Sequence, residues 1–430
     1  MRPLLLAGGL LSCLAAFGQE MEMHDHSTSP PTVLQLASAR QASGTSWQPE
    51  TTPMNGIHLM ASGWMVMLHG NLFLGYDDQG GARGDEGFAG IGWAMAMARH
   101  DLGKGELVLH AMLSPEPFLQ KRSGYPLLLQ TGESVDGRPI HDRQHPHDLF
   151  MEVSALVRQP LGDSLVAELY LAPSGEPALG PTAFPHRTSA ESDPLAPLSH
   201  HWQDSTHISF GVVTAGLVTR RLKLEGSIFN GREPDEVRTN FDLRRLDSAS
   251  GRISWNPTPE LSLQASYGYL ASPEELEPET SVHRFTASAS FTRLQGKGHT
   301  ALTAVFGRNA PSEGPSTSAY LLEADVDLDG TNTVFGRAEL VQKTGAELVL
   351  GAGRAERVYD VASFSAGYLR ELPLGRLALG VGGRGSIAFV SEDLSSFYGS
   401  RAPLGGMLFI RLRPAGMPSM GGGGPHDHRH

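Results

Sequence analysis

The stretch HDRQHPHDLF, residues 141–150, places His141, His145 and His147 within seven residues, with Asp142 and Asp148 among them. Neutral imidazole is a ligand for Cu, Zn and Ni. Imidazole facing carboxylate is equally the pairing of a buried hydrogen-bond network. A second stretch, FPHRTSAESDPLAPLSHHWQDSTH at 184–207, carries His186, His200, His201 and His207. The two stretches together hold seven of the 18 His. If they converge, His141, His145, His147, Asp148, His186, His200, His201 and His207 suffice in number and type for a divalent metal site. The competing reading is a network that packs two loops together. Three or more imidazole nitrogens near one point favour metal, whereas a hydrogen-bond partner for each His favours packing.

The termini add a second group of candidate ligands. His24 and His26 lie in MEMHDH, and His426, His428 and His430 lie in HDHRH. Met21, Met23, Met417 and Met420 accompany them. Short His-rich tracts are a compositional metal-binding signal, and thioether adds a preference for Cu(I). A neutral polar tail is the plainer reading. The pairs Met65/Met67 and Met95/Met97 each share one strand face through their spacing of two. Lipid-facing or packing Met is expected there ahead of a copper ladder.

An enzymatic reading rests on DSTH, where Asp204, Ser205 and His207 fall within four residues at the start of an expected strand. Ser205 and His207 would then share a face. No GxSxG, Walker A or HExxH sequence supports it, so the chain is read as non-enzymatic, with an outer-membrane hydrolase as a minor alternative.

These residues need a scaffold, and the scaffold is all-β. In LSLQASYGYL (261–270), Leu261, Leu263, Ala265, Tyr267 and Tyr269 alternate with Ser262, Gln264, Ser266 and Gly268. RFTASASFTR (284–293) repeats the pattern. A period of two over about ten residues with a small, neutral polar face matches strands between lipid and a wet lumen. Sixteen strands are expected, at 62–77, 86–99, 104–113, 149–158, 163–172, 206–218, 221–229, 248–256, 260–270, 282–293, 298–307, 317–328, 332–343, 356–370, 375–390 and 402–413. Long and short connections alternate between them, as the extracellular loops and periplasmic turns of a transmembrane antiparallel β-barrel do. Two soluble sandwich domains would explain the period but not that alternation.

MRPLLLAGGLLSCLAAFG reads as a signal peptide over 1–18, although LLSC also admits lipoprotein processing at Cys13. A periplasmic His/Met-containing segment is expected over 19–56, the barrel over 57–413 and a His-rich tail over 414–430. Cleavage removes the only Cys, so the mature chain has neither disulfide nor thiolate ligand. The formal charge of −12 and the lack of a basic, aromatic-rich patch exclude nucleic acid as a partner. Outer-membrane lipid and either metal ions or small solutes remain, and an oligomer is allowed rather than required.

The runs SGYPLLLQTGE (123–133), DRQHPHDLFMEVSA (142–155), GEPALGPTAFPHRTSA (175–190), PLSHHWQDSTHISFGVVTAG (197–216) and FNGREPDE (229–236) resemble a family of bacterial outer-membrane β-barrel proteins. That family is often found with copper and other heavy-metal resistance systems, and it carries no established site residue. The resemblance covers roughly residues 55–275 well and the rest loosely. It implies a barrel and a transition-metal role, copper first, in binding, passage or resistance, with Cu or another divalent metal as the cofactor. A general porin or small-solute channel with structural loop histidines is the alternative.

Overall fold

The computed structural model describes residues 30–415. The signal peptide and the tail residues His24, His26, His426, His428 and His430 lie outside them. The first part of the chain forms β1 (Ile57–Ala61), β2 (Trp64–Gln79), β3 (Glu86–Leu102), β4 (Gly105–Leu113), β5 (Tyr125–Val135), β6 (Arg138–Gln144), β7 (Phe150–Pro160) and β8 (Val166–Gly175). The middle forms β9 (Ser209–Val218), β10 (Leu222–Phe229), β11 (Ser248–Thr258), β12 (Leu261–Leu270), β13 (Val282–Gln295) and β14 (Gly298–Pro311). The last part forms β15 (Thr317–Asp327), β16 (Asn332–Thr344), β17 (Val358–Leu374), β18 (Leu377–Phe389) and β19 (Leu404–Pro414).

Sixteen strands, all except β1, β5 and β6, form one closed antiparallel ring. β19 closes it by pairing Leu412–Gly405 with Leu72–Gln79 of β2. Closure removes the edges and satisfies every strand's backbone within the wall, which the hydrocarbon phase demands. All sixteen expected strands are present, with ends shifted by a few residues. β1 hairpins onto the start of β2, and β5 and β6 form a separate hairpin inside the loop 114–149. Among the described residues no helix is long and apolar enough to cross a membrane.

The alternation turns the usual globular pattern inside out. On β12, Tyr267 and Tyr269 are exposed while Ser262 and Ser266 are buried. Apolar side chains meet lipid and small polar ones face the lumen. Short turns at 103–104, 161–165, 219–221, 259–260, 296–297, 328–331 and 375–376 mark one rim, and the longer loops mark the other.

Loops and an N-terminal segment enter the lumen. Loop 176–208 leaves β8, crosses the interior and pins itself to the opposite wall. Arg187 pairs with Glu323 of β15 at 2.6 Å, Ser199 bonds Glu339 of β16, and Trp202 donates to Thr317 of β15. Glycine at 307 permits the closest approach, since a Cβ there would lie 2.4 Å from the Trp202 carbonyl oxygen. From the short-turn end, residues 33–55 enter as well. The helix Val33–Arg40 begins in a capping box between Thr32 and Gln35, and its Ser38 donates to Glu106 of β4 at 2.7 Å. Lys223 of β10 bonds the Thr45 carbonyl, and Arg158 of β7 bonds Gln41 at 2.8 Å. Residues 33–55, part of the segment expected in the periplasm, thus pack against the inside of the barrel wall as a plug. Buried lumen charges supply the partners that draw it in.

Candidate functional site: a histidine constriction

The two His-rich loops converge where loop 176–208 meets the hairpin β5–β6. His145, His147, His200, His201 and His207 are all buried there. Their rings form one contiguous group, with centroids 5.1 Å apart for His200–His201, 5.4 Å for His145–His201, 5.2 Å for His200–His207 and 5.3 Å for His147–His207. One ring nitrogen of each of His145, His200 and His201 lies within 4.8 Å of the other two.

Local backbone chemistry aims each ring. His200 and His201 open a single helical turn, His200–Gln203, whose C-cap is Asp204. His200 Nδ1 meets Asp204 Oδ1 at 2.7 Å. His201 Nδ1 faces Glu233 Oε1 at 3.0 Å, from loop 230–247. His145 Nδ1 faces Glu133 Oε1 at 3.2 Å. Glu133 reaches inward because β5 slips register between Thr131 and Ser134, with Gly132 at φ +128° and Glu133 at φ +60°. Gly132 is required on a second count, because a Cβ there would lie 2.2 Å from His201 Nε2.

Every one of these imidazoles has its Nδ1 edge occupied. His147 Nδ1 faces Glu116 Oε1 at 2.9 Å, and His207 Nδ1 meets the Asp204 carbonyl at 2.8 Å. The Nε2 atoms of His145, His147, His201 and His207 are buried without a hydrogen bond among the described residues. Packing and convergence are thus both satisfied, one on each edge of the ring. Burial pushes His200 and His201 down to about 4 and holds His145 and His207 well below the ordinary imidazole value. Burial opposes charge on His147 too, but the Glu116 carboxylate outweighs it and its pKa is raised.

Not every expected residue joins the group. His141 is partly exposed on the loop surface against Asp142, at 2.8 Å. Asp148 pairs with Arg238 at 3.1 Å, while burial pushes its carboxyl up to about 7. His186 lies deeper, 4.5 Å from the Trp93 ring and 6.0 Å from that of His69, with Nε2 3.3 Å from the Met112 sulfur. The triad-like trio does not assemble. Ser205–His207 is a tight turn rather than strand, because β9 begins at Ser209. Ser205 accepts from Arg284 at 2.9 Å, His207 makes no bond to it, and the Asp204 carboxylate serves Arg187 and His200.

Two cavities lie inside the barrel, and of the five clustered imidazoles only His201 lines either of them. The outer one, about 610 Å³, is rimmed by loops 271–281, 312–316 and 345–357 and lined by Glu133, Glu274, Glu275, Glu277, Glu347 and His201. The inner one, about 560 Å³, is lined by Met65, Met67, Met95, Met97, His58 and His69 together with the plug. The Met pairs therefore face the lumen, not lipid: their spacing gives a common face but not which one. Glu133, Glu233 and Glu274 escape the sequence reading. Their only signal is acidic charge in loops that already carry many polar residues.

No known family matches the chain in sequence, and no curated protein matches it, so neither supports the heavy-metal association. Solved structures do resemble it. An anion-selective porin from Comamonas acidovorans aligns with a TM-score of 0.51 and 13% identity, over 81% of this chain and 99% of that one. OmpF of Salmonella typhi, in complex with daunomycin, aligns with a TM-score of 0.51 and 10% identity, over 83% of this chain and 100% of that one. The architecture is that of the bacterial outer-membrane porins: a closed sixteen-stranded barrel.

Proposed function

We propose that the chain is a narrow outer-membrane channel for small solutes, with a preference for cations. The carrying observation is the pair of cavities inside the barrel, one against the plug and one among the long loops, the latter walled by glutamates. A cleft lined by one sign of charge raises the local concentration of the opposite ion. The porin architecture supports passage of solutes more than it supports the copper-first role expected from the sequence. The neighbour from Comamonas acidovorans is described as anion-selective, and the acidic vestibule here argues for the opposite sign.

The test is reversal potential in planar bilayers under a KCl gradient. Burial raises the pKa of both Glu274 and Glu347, so the expected K⁺-over-Cl⁻ sign strengthens as pH rises, and Glu274→Gln with Glu347→Gln moves it toward zero on the alkaline side. Anion preference, or no conductance from inserted protein, overturns the reading.

A further inference from the structure

We infer that the constriction is a binding site for one divalent transition-metal ion of the Cu(II)/Zn(II) class, held by the imidazoles of His145, His200 and His201. Its supply from the outer vestibule rests on the channel reading; the binding itself does not. Three features carry it. First, one ring nitrogen of each of the three already lies within 4.8 Å of one on each of the other two. Metal–nitrogen bonds of about 2.0–2.1 Å set tetrahedral ligands roughly 3.3 Å apart, so ring movements of about 1 Å complete the set. Second, each of the three rings turns its Nδ1 toward a carboxylate, from Glu133, Asp204 or Glu233. A carboxylate that accepts from Nδ1–H leaves the Nε2 lone pair as donor and raises its basicity, as carboxylate partners of metal-bound His do. Third, the Nε2 atoms of His145 and His201 are buried without a hydrogen bond among the described residues, which is costly for a polar atom in a packed interior.

The route to the site has the same sense. His201 also belongs to a second group, with Glu233 and Glu274, whose ligand atoms lie within 4.8 Å of one another. His201 and Glu274 both line the outer cavity. An arriving divalent ion meets carboxylate oxygens first and imidazole nitrogens next, which orders a hard, hydrated encounter before a borderline site. The ligand set holds no thiolate and no thioether. Imidazole alone ranks Cu(II) above Zn(II) in affinity.

The experiment uses the full mature chain in detergent with His24, His26, His426, His428 and His430 changed to Ser, so that the tails contribute nothing. Calorimetric titration with ZnCl₂ and CuCl₂ should show one saturable site per chain. His145→Gln with His201→Gln should abolish it, His141→Gln should leave it unchanged, and Glu233→Gln should weaken it by about 10- to 100-fold. Folding of each variant is checked by heat-shifted electrophoretic mobility. Should the double variant misfold, the visible spectrum of Co(II) bound to the parent chain decides: intense tetrahedral bands support the site, and a weak octahedral spectrum overturns it. Absence of saturable binding, or binding indifferent to the double substitution, also overturns it. A chain that binds metal but conducts no ions keeps this site and loses the channel reading; one that conducts without binding does the reverse.

Discussion

Asp204 shows how much one side chain organises. Its carboxylate accepts from Arg187 at 2.6 Å, from the Phe184 backbone N–H at 2.9 Å and from His200 at 2.7 Å, all within one loop. Asp204 and Arg187 are both buried, and these charges hold Asp204 well below the ordinary carboxylate range even though burial opposes its ionisation. Breaking a buried ion pair costs on the order of 3 kcal/mol, because the surviving charge keeps its desolvation cost. Asp204→Ala is therefore expected to loosen loop 176–208 while leaving the barrel wall closed. Limited proteolysis in detergent checks this: new cleavage within 184–207, with unchanged heat-shifted mobility, is the expected outcome. A loop as resistant as the parent's would mean that the wall contacts of Arg187, Ser199 and Trp202 hold it without Asp204.

At the scale of the element, the inward loop carries its own pH dependence. Burial pushes His186 down to about 4, against the opposing pull of Glu152. A folded-state value below the unfolded one means that the unfolded loop binds more protons in the interval between them. Stability contributed by the seated His186 is thus intact above about pH 6.5 and is lost as pH falls toward 4. The slope is at most about 1.4 kcal/mol per pH unit, and less for a ring that keeps partial access to solvent. Single-channel recordings from pH 7 down to 4.5 should show longer or more frequent open events on acidification, and His186→Phe should reduce that response, the remainder belonging to His200 and His201, which burial lowers to the same value. An unchanged open probability across the range would sink the assignment.

The same loop shows what was legible in the chain itself. The alternating residues of 261–270 and 284–293 announced strands, and the unequal connections announced two rims, because both follow from period and turn chemistry. The histidines of 141–147 and 184–207 announced a chemistry but not its geometry. His141 and His145 are four residues apart, yet one lies at the surface and the other in the constriction. Between them Asp142, at φ +54°, redirects the backbone. The plug was not legible at all. Residues 33–55 carry no alternation, and the charges that receive them, Glu106, Arg158, Lys223 and Arg252, are scattered over four strands.

For the whole molecule the consequence of that plug is mechanical. Trp47 sits between the guanidinium of Arg40 at 4.8 Å and the ammonium of Lys223 at 5.6 Å from its ring centroid, and it is buried. Around it runs a belt of buried ion pairs in which Arg158 joins Glu106 to Glu168, Lys223 joins Glu168 to Glu225, and Arg252 joins Glu225 to Glu176. The belt ties β4, β7, β8, β10 and β11 to one another. With these pairs inside the wall, the barrel is expected to stay closed when the plug is unseated. Trp47→Ala removes aromatic packing worth about 3–5 kcal/mol in a buried site, and the plug bears that loss rather than the wall. Single-channel conductance is expected to rise while the melting temperature of the barrel's β signal in detergent stays within a few degrees of the parent's. If conductance is unchanged and the barrel melts earlier, the segment is part of the wall's stability rather than the inner barrier to passage.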